Sequence, residues 1–140
     1  MTISIDANVL GALWNDNELM NPAVTQLLGD LMQRDQLLVS GIVYAELMAG
    51  PLRKESNLDL FFQETGIVVD WSLEENIFRE AGRAYAEYAR RRRKDGKPDP
   101  RRILADFMIG AHALVRGYSL LTIDDQHFRT AFPKLNVIPV

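Results

Sequence analysis

Apolar residues along this chain come in short β-branched runs separated by longer stretches with helical spacing. Ile3 and Ile5 open the protein in a run that stops at Asp6, and Val9, Leu10, Leu13 and Trp14 then recur at helical intervals. This predicts a buried strand with Asp6 at its carboxyl end, followed at once by a helix. Asn21 and Pro22 read as the N-cap and first position of a second helix, with Val24, Leu27, Leu28, Leu31 and Met32 on its apolar stripe. Leu37 to Ser40 is a second strand. Ser40 is placed to cap a third helix in which Val43, Leu47 and Met48 are apolar and Glu46 is not, ended by Gly50-Pro51.

A further helix is expected from about Arg53 to Glu64, with Leu58, Phe61 and Phe62 inward and Gly66 as its stop. Ile67 to Val69 is a third strand. Ser72 to Glu75 fits a capping box and opens the longest helix, whose face of Leu73, Ile77, Ala81, Ala84, Tyr85 and Tyr88 runs up to a block of arginines. Lys94 to Pro100 is a loop by every local signal. Pro100 can open a helix bearing Ile103, Leu104, Phe107, Met108, Ala111 and Leu114, stopped by Gly117. Ser119 to Thr122 is a fourth strand, Asp124 to Gln126 turns into a short helix with Phe128 and Phe132, and Asn136 to Ile138 is a fifth strand. Strands and helices alternate without a tight hairpin. The expectation is an α/β fold: one domain over residues 1–140, a mostly parallel sheet of about five strands, and helices on both faces.

Composition narrows the chemistry. The chain has no cysteine, which removes disulfides, thiolate metal sites and thiol nucleophiles, and its two histidines speak against a His-rich metal site. No apolar run approaches the roughly 20 residues that span a bilayer, and the N-terminal residues, with no basic segment before a long apolar stretch, are not expected to be a signal peptide. A cytoplasmic protein without membrane association is expected. The formal net charge of −3 conceals an asymmetry: residues 90–102 hold eight of the sixteen basic residues and only two acids, Asp95 and Asp99.

The remaining acids fall in a pattern. Asp6 ends the first strand, Glu46 lies in the helix after the second, Asp106 sits in the first turns of the helix after the basic loop, and Asp124 lies just past the fourth strand. In a parallel sheet, residues beyond the carboxyl ends of the strands crowd one rim, so four carboxylates from separate segments can meet in one cleft. Taken singly, Asp6 is as well explained as a helix N-cap, and Glu46 and Asp106 as exposed helix acids. Their neighbours argue for burial, because Val43, Tyr44, Leu47 and Met48 surround Glu46, and Ile103, Leu104, Phe107 and Met108 surround Asp106. Buried like charges raise each other's cost of ionisation unless a cation joins them. An all-oxygen set suits Mg²⁺ or Mn²⁺, and the natural chemistry of such a site is phosphodiester hydrolysis.

Four short motifs carry a resemblance: Ile5-Asp6-Ala7-Asn8, Ser40 with Glu46-Leu47, Ala105-Asp106-Phe107-Met108-Ile109-Gly110-Ala111-His112, and Leu121-Thr122-Ile123-Asp124-Asp125-Gln126-His127-Phe128. In this order and register the chain resembles the PIN-domain nucleases, in particular VapC-type toxins of bacterial toxin–antitoxin pairs. The resemblance implies Asp6, Glu46, Asp106 and Asp124 as Mg²⁺ or Mn²⁺ ligands, with Thr122, Asn8 and Ser40 in support. It also implies endoribonuclease activity, often on tRNA or ribosomal RNA, homodimerisation, and inhibition by a cognate antitoxin. The chain departs from the family at Ala7, where a hydroxyl or another small residue is common, and in the long basic loop before Asp106.

Arg90, Arg91, Arg92, Arg93, Lys94, Lys97, Arg101 and Arg102 read either as a solvated helix end, favoured by the helix dipole, or as a clamp for RNA phosphates. An acidic antitoxin tail is a third use of that patch. His112, six positions from Asp106, is turned away from the acid and reads as packing, while His127 reads as a surface residue. Two rivals remain: a magnesium phosphatase of haloacid-dehalogenase type, which needs a second Asp where Asn8 stands, and a non-catalytic RNA- or protein-binding module.

Overall fold

The strand β1 (Thr2–Ile5) lies at the centre of a five-stranded sheet, with β2 (Gln36–Ser40) and β3 (Val68–Asp70) on one side and β4 (Ser119–Thr122) and β5 (Val137–Pro139) on the other. Every neighbouring pair is parallel. The computed structural model describes residues 1–50, 53–97 and 101–140. A parallel sheet covered on both faces needs strands that are apolar at nearly every position. Accordingly Ile3, Ile5, Val39, Leu120 and Leu121 are completely buried. The register pairs Ile3 with Leu37 and Ile5 with Leu121.

The connections are helical. Helices α1 (Ala7–Leu13) and α2 (Asn21–Arg34) join β1 to β2, and α3 (Gly41–Met48) and α4 (Glu55–Thr65) join β2 to β3. Helices α5 (Glu75–Lys94) and α6 (Leu104–Arg116) lead to β4, and α7 (Asp125–Ala131) leads to β5. Crossovers toward β2 and β3 run one way across the sheet and those toward β4 and β5 the other, so right-handed connections put helices on both faces. The reversal falls between β1 and β4. The Asp6 N–H donates to the Leu121 carbonyl at 2.9 Å, which extends the β1–β4 ladder by one residue and fixes where Asp6 emerges.

Three local expectations are corrected. Asn21 is the first residue of α2 rather than its cap; its side-chain amide donates to the carbonyls of Ala12 and Leu13 at 2.9 and 3.1 Å, closing the end of α1 instead. Ser72 forms no capping box, because α5 starts at Glu75, and the Ser72 N–H donates to Asp70 Oδ1 at 3.0 Å. Helix α4 starts at Glu55, two residues later than its hydrophobic pattern suggests. Ser40 does cap α3, accepting from the Val43 N–H at 3.3 Å. Gly66 and Gly117 end α4 and α6 in the left-handed region, at φ 76° and 73°. Pro51, expected to end α3, and Pro98 to Pro100, expected to finish the loop and open α6, lie outside the described residues; α6 begins at Leu104.

Candidate active site

The carboxyl edge of the sheet gathers the acids. Asp6, Glu46, Asp106 and Asp124 all line one cavity of about 430 Å³, together with Asn8, Gly11, Arg53 and Arg102. Each arrives on a different element: Asp6 at the β1–α1 junction, Glu46 in α3, Asp106 in the first turn of α6, and Asp124 at the N-cap of α7. This is the point where the strand order reverses, the usual ligand crevice of an open α/β sheet.

Asp6 is the deepest of the four at 5% exposure. One carboxylate oxygen accepts from the Ala7 N–H at 2.8 Å and the other from the Thr122 hydroxyl at 2.8 Å. It therefore caps α1 and faces the cleft at once, so the two roles left open by the sequence are combined. Burial raises its pKa to about 6 against the two hydrogen bonds that lower it, and the charges of Asp106 and Asp124 add to the rise. Glu46 is pushed up to about 7 by burial and then by Asp6 and Asp106. Asp106 is raised by burial and by Asp124, against the pull of His127 and Arg102. These carboxylates feel one another, and the protein does not fully compensate their charge.

Asp124 differs from the other three. Its Oδ2 pairs directly with the Arg102 guanidinium, which reaches in from the end of the basic loop. Of the basic residues singled out in the sequence, Arg102 alone lines the acidic cavity itself. Arg90 and Arg91 pair with Glu87 of their own helix, the second at 3.8 Å. Arg91, Arg92, Lys97 and Arg102 line a neighbouring hollow of about 340 Å³. Arg101 lines another, of about 510 Å³, next to Asp106. Arg93 and Lys94 are exposed on the last turn of α5. The Tyr88 hydroxyl accepts from the Arg101 and Arg102 N–H groups at 3.0 and 3.1 Å, tying the end of the loop to α5.

The supporting residues divide. Thr122 is fully buried beneath the cleft and bonds to Asp6, while Asn8 reaches Thr122 Oγ1 at 3.4 Å and accepts from the Ile123 N–H at 3.3 Å. Ser40, also fully buried, holds the start of α3 and hence Glu46, but does not line the cavity. His112 is packed, as its spacing indicates, with Nε2 2.9 Å from Asp70 Oδ2. His127 corrects the surface reading. Its ring packs edge-on against Phe107 at 5.2 Å and Phe128 at 4.9 Å, and its Nε2 is buried without a hydrogen-bond partner. Burial, and after it the Arg102 charge, hold its pKa below the usual range. A helical turn that carries Phe128 inward brings His127 toward α6, a packing choice that local polarity does not reveal.

The donor chemistry of the cleft, carboxylate and amide oxygen alone, fits the hard divalent ions Mg²⁺ and Mn²⁺. As placed, no three His, Asp or Glu side chains among the described residues stand close enough to hold an ion together. Both Asp6 oxygens accept hydrogen bonds, and Arg102 pairs with Asp124.

A parallel sheet of order β3-β2-β1-β4-β5 with acids at its reversal point defines the class of protein to which this chain belongs. Residues 3–133 match the PIN domain, and the chain belongs to the PIN-domain family. No curated protein matches it in sequence. Among solved structures, it is similar to a chain of VapBC-1 from nontypeable Haemophilus influenzae, at 22% identity and TM-score 0.68, covering 99% of this chain and 98% of that one. A chain of VapBC2 from Rickettsia felis, bound to a DNA fragment from its promoter, matches at 20% identity and TM-score 0.65 over 100% and 99%. A chain of FitAcB from Neisseria gonorrhoeae matches at 20% identity and TM-score 0.63 over 97% and 96%. These likenesses are of fold. No described helix is long and apolar enough to cross a membrane.

Proposed function

We propose that this chain is a Mg²⁺- or Mn²⁺-dependent endoribonuclease, the toxin of a VapC-type toxin–antitoxin pair. The observation that carries this reading is the convergence of Asp6, Glu46, Asp106 and Asp124 on one cavity, with Asp6 and Glu46 raised to about 6 and 7. Membership of the PIN-domain family supports nuclease chemistry, and fold-level likeness to chains of VapBC and FitAcB complexes supports the toxin role. The names of those complexes support a cognate antitoxin as partner, and a cytoplasmic homodimer is the working form we propose with it.

Asp6, Asp106, Asp124 and Glu46 would hold the ion, which supplies Lewis acidity and a bound water of lowered pKa. Thr122 and Asn8 orient Asp6 from beneath, and Ser40 positions Glu46 through α3. Arg102 is the switchable partner of Asp124: an RNA phosphate entering the cleft offers the guanidinium a second anion and frees the carboxylate. Arg90, Arg91, Arg92, Arg93, Lys94, Lys97 and Arg101 extend that phosphate-binding edge away from the cleft. Hydrolysis then joins a water oxygen to phosphorus and breaks one P–O ester bond, with the departing oxygen taking a proton. No enzyme nucleophile is required, and tRNA and ribosomal RNA are the substrates to try first.

A haloacid-dehalogenase type of phosphatase is disfavoured because Asn8, where it needs its second acid, spends its side chain on Thr122 and Ile123. The test is cleavage of total cellular RNA with Mn²⁺, with end mapping for wild type and Asp106→Ala. Cuts present in wild type and absent from the variant and from chelated samples are expected. Identical ends in both, or phosphate release from small monoesters with RNA left whole, would reject the reading.

A further inference from the structure

The acidic cleft opens sideways. Gly11 and Arg53 line it, and the same two residues line an adjoining cavity of about 650 Å³. Trp14 at the end of α1 and Phe61 of α4 wall this second cavity, their rings edge to face with centroids 4.9 Å apart. Both rings are only half-buried, so aromatic surface is left uncovered. Asn15 and Asn57, exposed at its rim, bring amide donors and acceptors.

Arg53 stands at the boundary between the two cavities. Its Nη1 donates to the Leu47 carbonyl at 3.3 Å, and its guanidinium carbon lies 5.2 Å from the Trp14 ring centroid. A Cβ at Gly50 would collide with the guanidinium, and one at Gly11 would touch Nη2 at 3.6 Å. The missing side chain at Gly50 thus leaves room for the guanidinium, which sits over the indole and also lines the acidic cleft. Phosphate chemistry on one side, an aromatic wall on the other and an arginine between them match the parts of a single nucleotide.

We infer that the cavity walled by Trp14, Phe61 and Arg53 is a nucleobase subsite, taking an unpaired base next to the phosphate in the acidic cleft. This rests on the nuclease reading of that cleft and adds which part of the substrate the neighbouring cavity holds. Aromatic faces stack on any base, whereas the Asn57 amide at the rim adds a hydrogen-bonding group for a base edge. A paired base stays stacked in its helix and cannot enter, so the strand must be single there. The Arg53 charge favours a polyanion over a basic peptide segment as the occupant.

The experiment follows Trp14 itself. Trp71 is the other tryptophan, so Trp71→Phe combined with Asp6→Asn leaves one indole in a chain that binds without cutting. With chelator present, hexa-adenylate should quench Trp14 fluorescence, whereas an abasic oligomer of equal length and a duplex should not. Trp14→Ala should weaken binding of labelled hexa-adenylate about 5- to 150-fold, and Trp14→Phe should retain most of it. Asn57→Leu, nearly isosteric and at an exposed position, should remove a base-edge hydrogen bond and weaken binding about two- to tenfold. Equal binding by Asn57→Leu and by folded Trp14→Ala would overturn the subsite, as would equal quenching by the abasic oligomer. Quenching by an arginine-rich peptide but by no oligonucleotide would also overturn it and mark the cavity as a protein site. Failure of the subsite leaves RNA cleavage by wild type with Mn²⁺ intact, whereas failure of the nuclease reading shows as absent cleavage whatever Trp14 reports.

Discussion

The Thr122 hydroxyl donates to Asp6 Oδ2 at 2.8 Å, joining two residues 116 positions apart at the carboxyl ends of neighbouring parallel strands. The same oxygen accepts from the Asp124 N–H at 3.0 Å and from the Asn8 side chain at 3.4 Å. A hydroxyl has one proton and two lone pairs, so Thr122 is fully used. It fixes the β1–α1 junction, through Asp6 and Asn8, against the start of α7.

Replacing Thr122 by valine keeps the shape and removes that node. The Asp124 N–H loses its partner, at a cost of about 1–3 kcal/mol. Asp6 also loses one of the two bonds that hold its pKa down, so it moves above about 6 and carries less charge at neutral pH. Lower stability in urea and lower Mn²⁺-dependent cleavage are expected together, with Thr122→Ser restoring most of both. A valine variant as stable and as active as wild type would remove Thr122 from the site.

Acid should stabilise the metal-free protein over part of the pH range. Unfolded Asp6 ionises near 3.8 and folded Asp6 near 6, so between those values the folded state holds a proton that the unfolded state has lost. Stability therefore falls as pH rises through this window and carries the full penalty above about 6. Glu46, moved from 4.5 to about 7, acts in the same direction. At roughly 1.4 kcal/mol per pKa unit, the Asp6 shift is worth up to about 3 kcal/mol. Asn at position 6 has one acceptor for the two donors of Ala7 and Thr122, so Asp6→Asn gives up one of those bonds; the variant should flatten the rise of the melting temperature on acidification while abolishing cleavage. Melting curves of chelated protein between pH 4.5 and 8 decide this; a wild type that loses stability steadily on acidification would contradict it.

How much of this was legible before the structure depends on the range of each signal. Ile3, Ile5 and the acid after them announce a strand and its end, because burial on two faces and the alternation of elements are written locally. The gathering of Asp6 and Asp124 follows from parallel topology, since each strand delivers its next residues to one rim, whereas Glu46 and Asp106 join them from α3 and from the first turn of α6. Arg102 pairing with Asp124 was not legible, because a side-chain contact across 22 positions leaves no periodicity. Asn21 and Ser72 mislead for a related reason: each is a good cap in isolation, but Asn21 meets the open carbonyls of α1 and Ser72 meets Asp70. Trp14 and Arg53 meet where Gly50 leaves room for the guanidinium, a contact with no local signature.

Arg102 pairs with Asp124, so it competes with a cation for that carboxylate. Arg102→Gln should therefore tighten Mn²⁺ binding to the RNA-free protein. The same change removes a phosphate contact, so RNA binding should weaken and the slope of log K against log salt should shrink by about 0.7 for a single strand. Calorimetric Mn²⁺ titration and binding of labelled RNA at several salt concentrations give the two readings. Weaker Mn²⁺ binding would mean that Arg102 organises the carboxylates instead of masking one.

Gly110, in the interior of α6, lies against the ring of Phe132, and a Cβ there would collide with it. Phe132 is 1% exposed, so the ring has nowhere to go. Alanine gains about 1 kcal/mol of helix propensity at such a position, but forcing an extra carbon into a filled core costs about 1–3 kcal/mol. The clash should win, lowering the melting temperature of Gly110→Ala and moving the start of α6, where Asp106 sits one turn earlier. Phe132→Leu costs stability alone yet opens the space, so the double variant should be more stable than the sum of the two single effects. Additive losses in that cycle would show that Gly110 is not held by Phe132, and unchanged cleavage in the single variant would show that α6 can shift without disturbing the acidic rim.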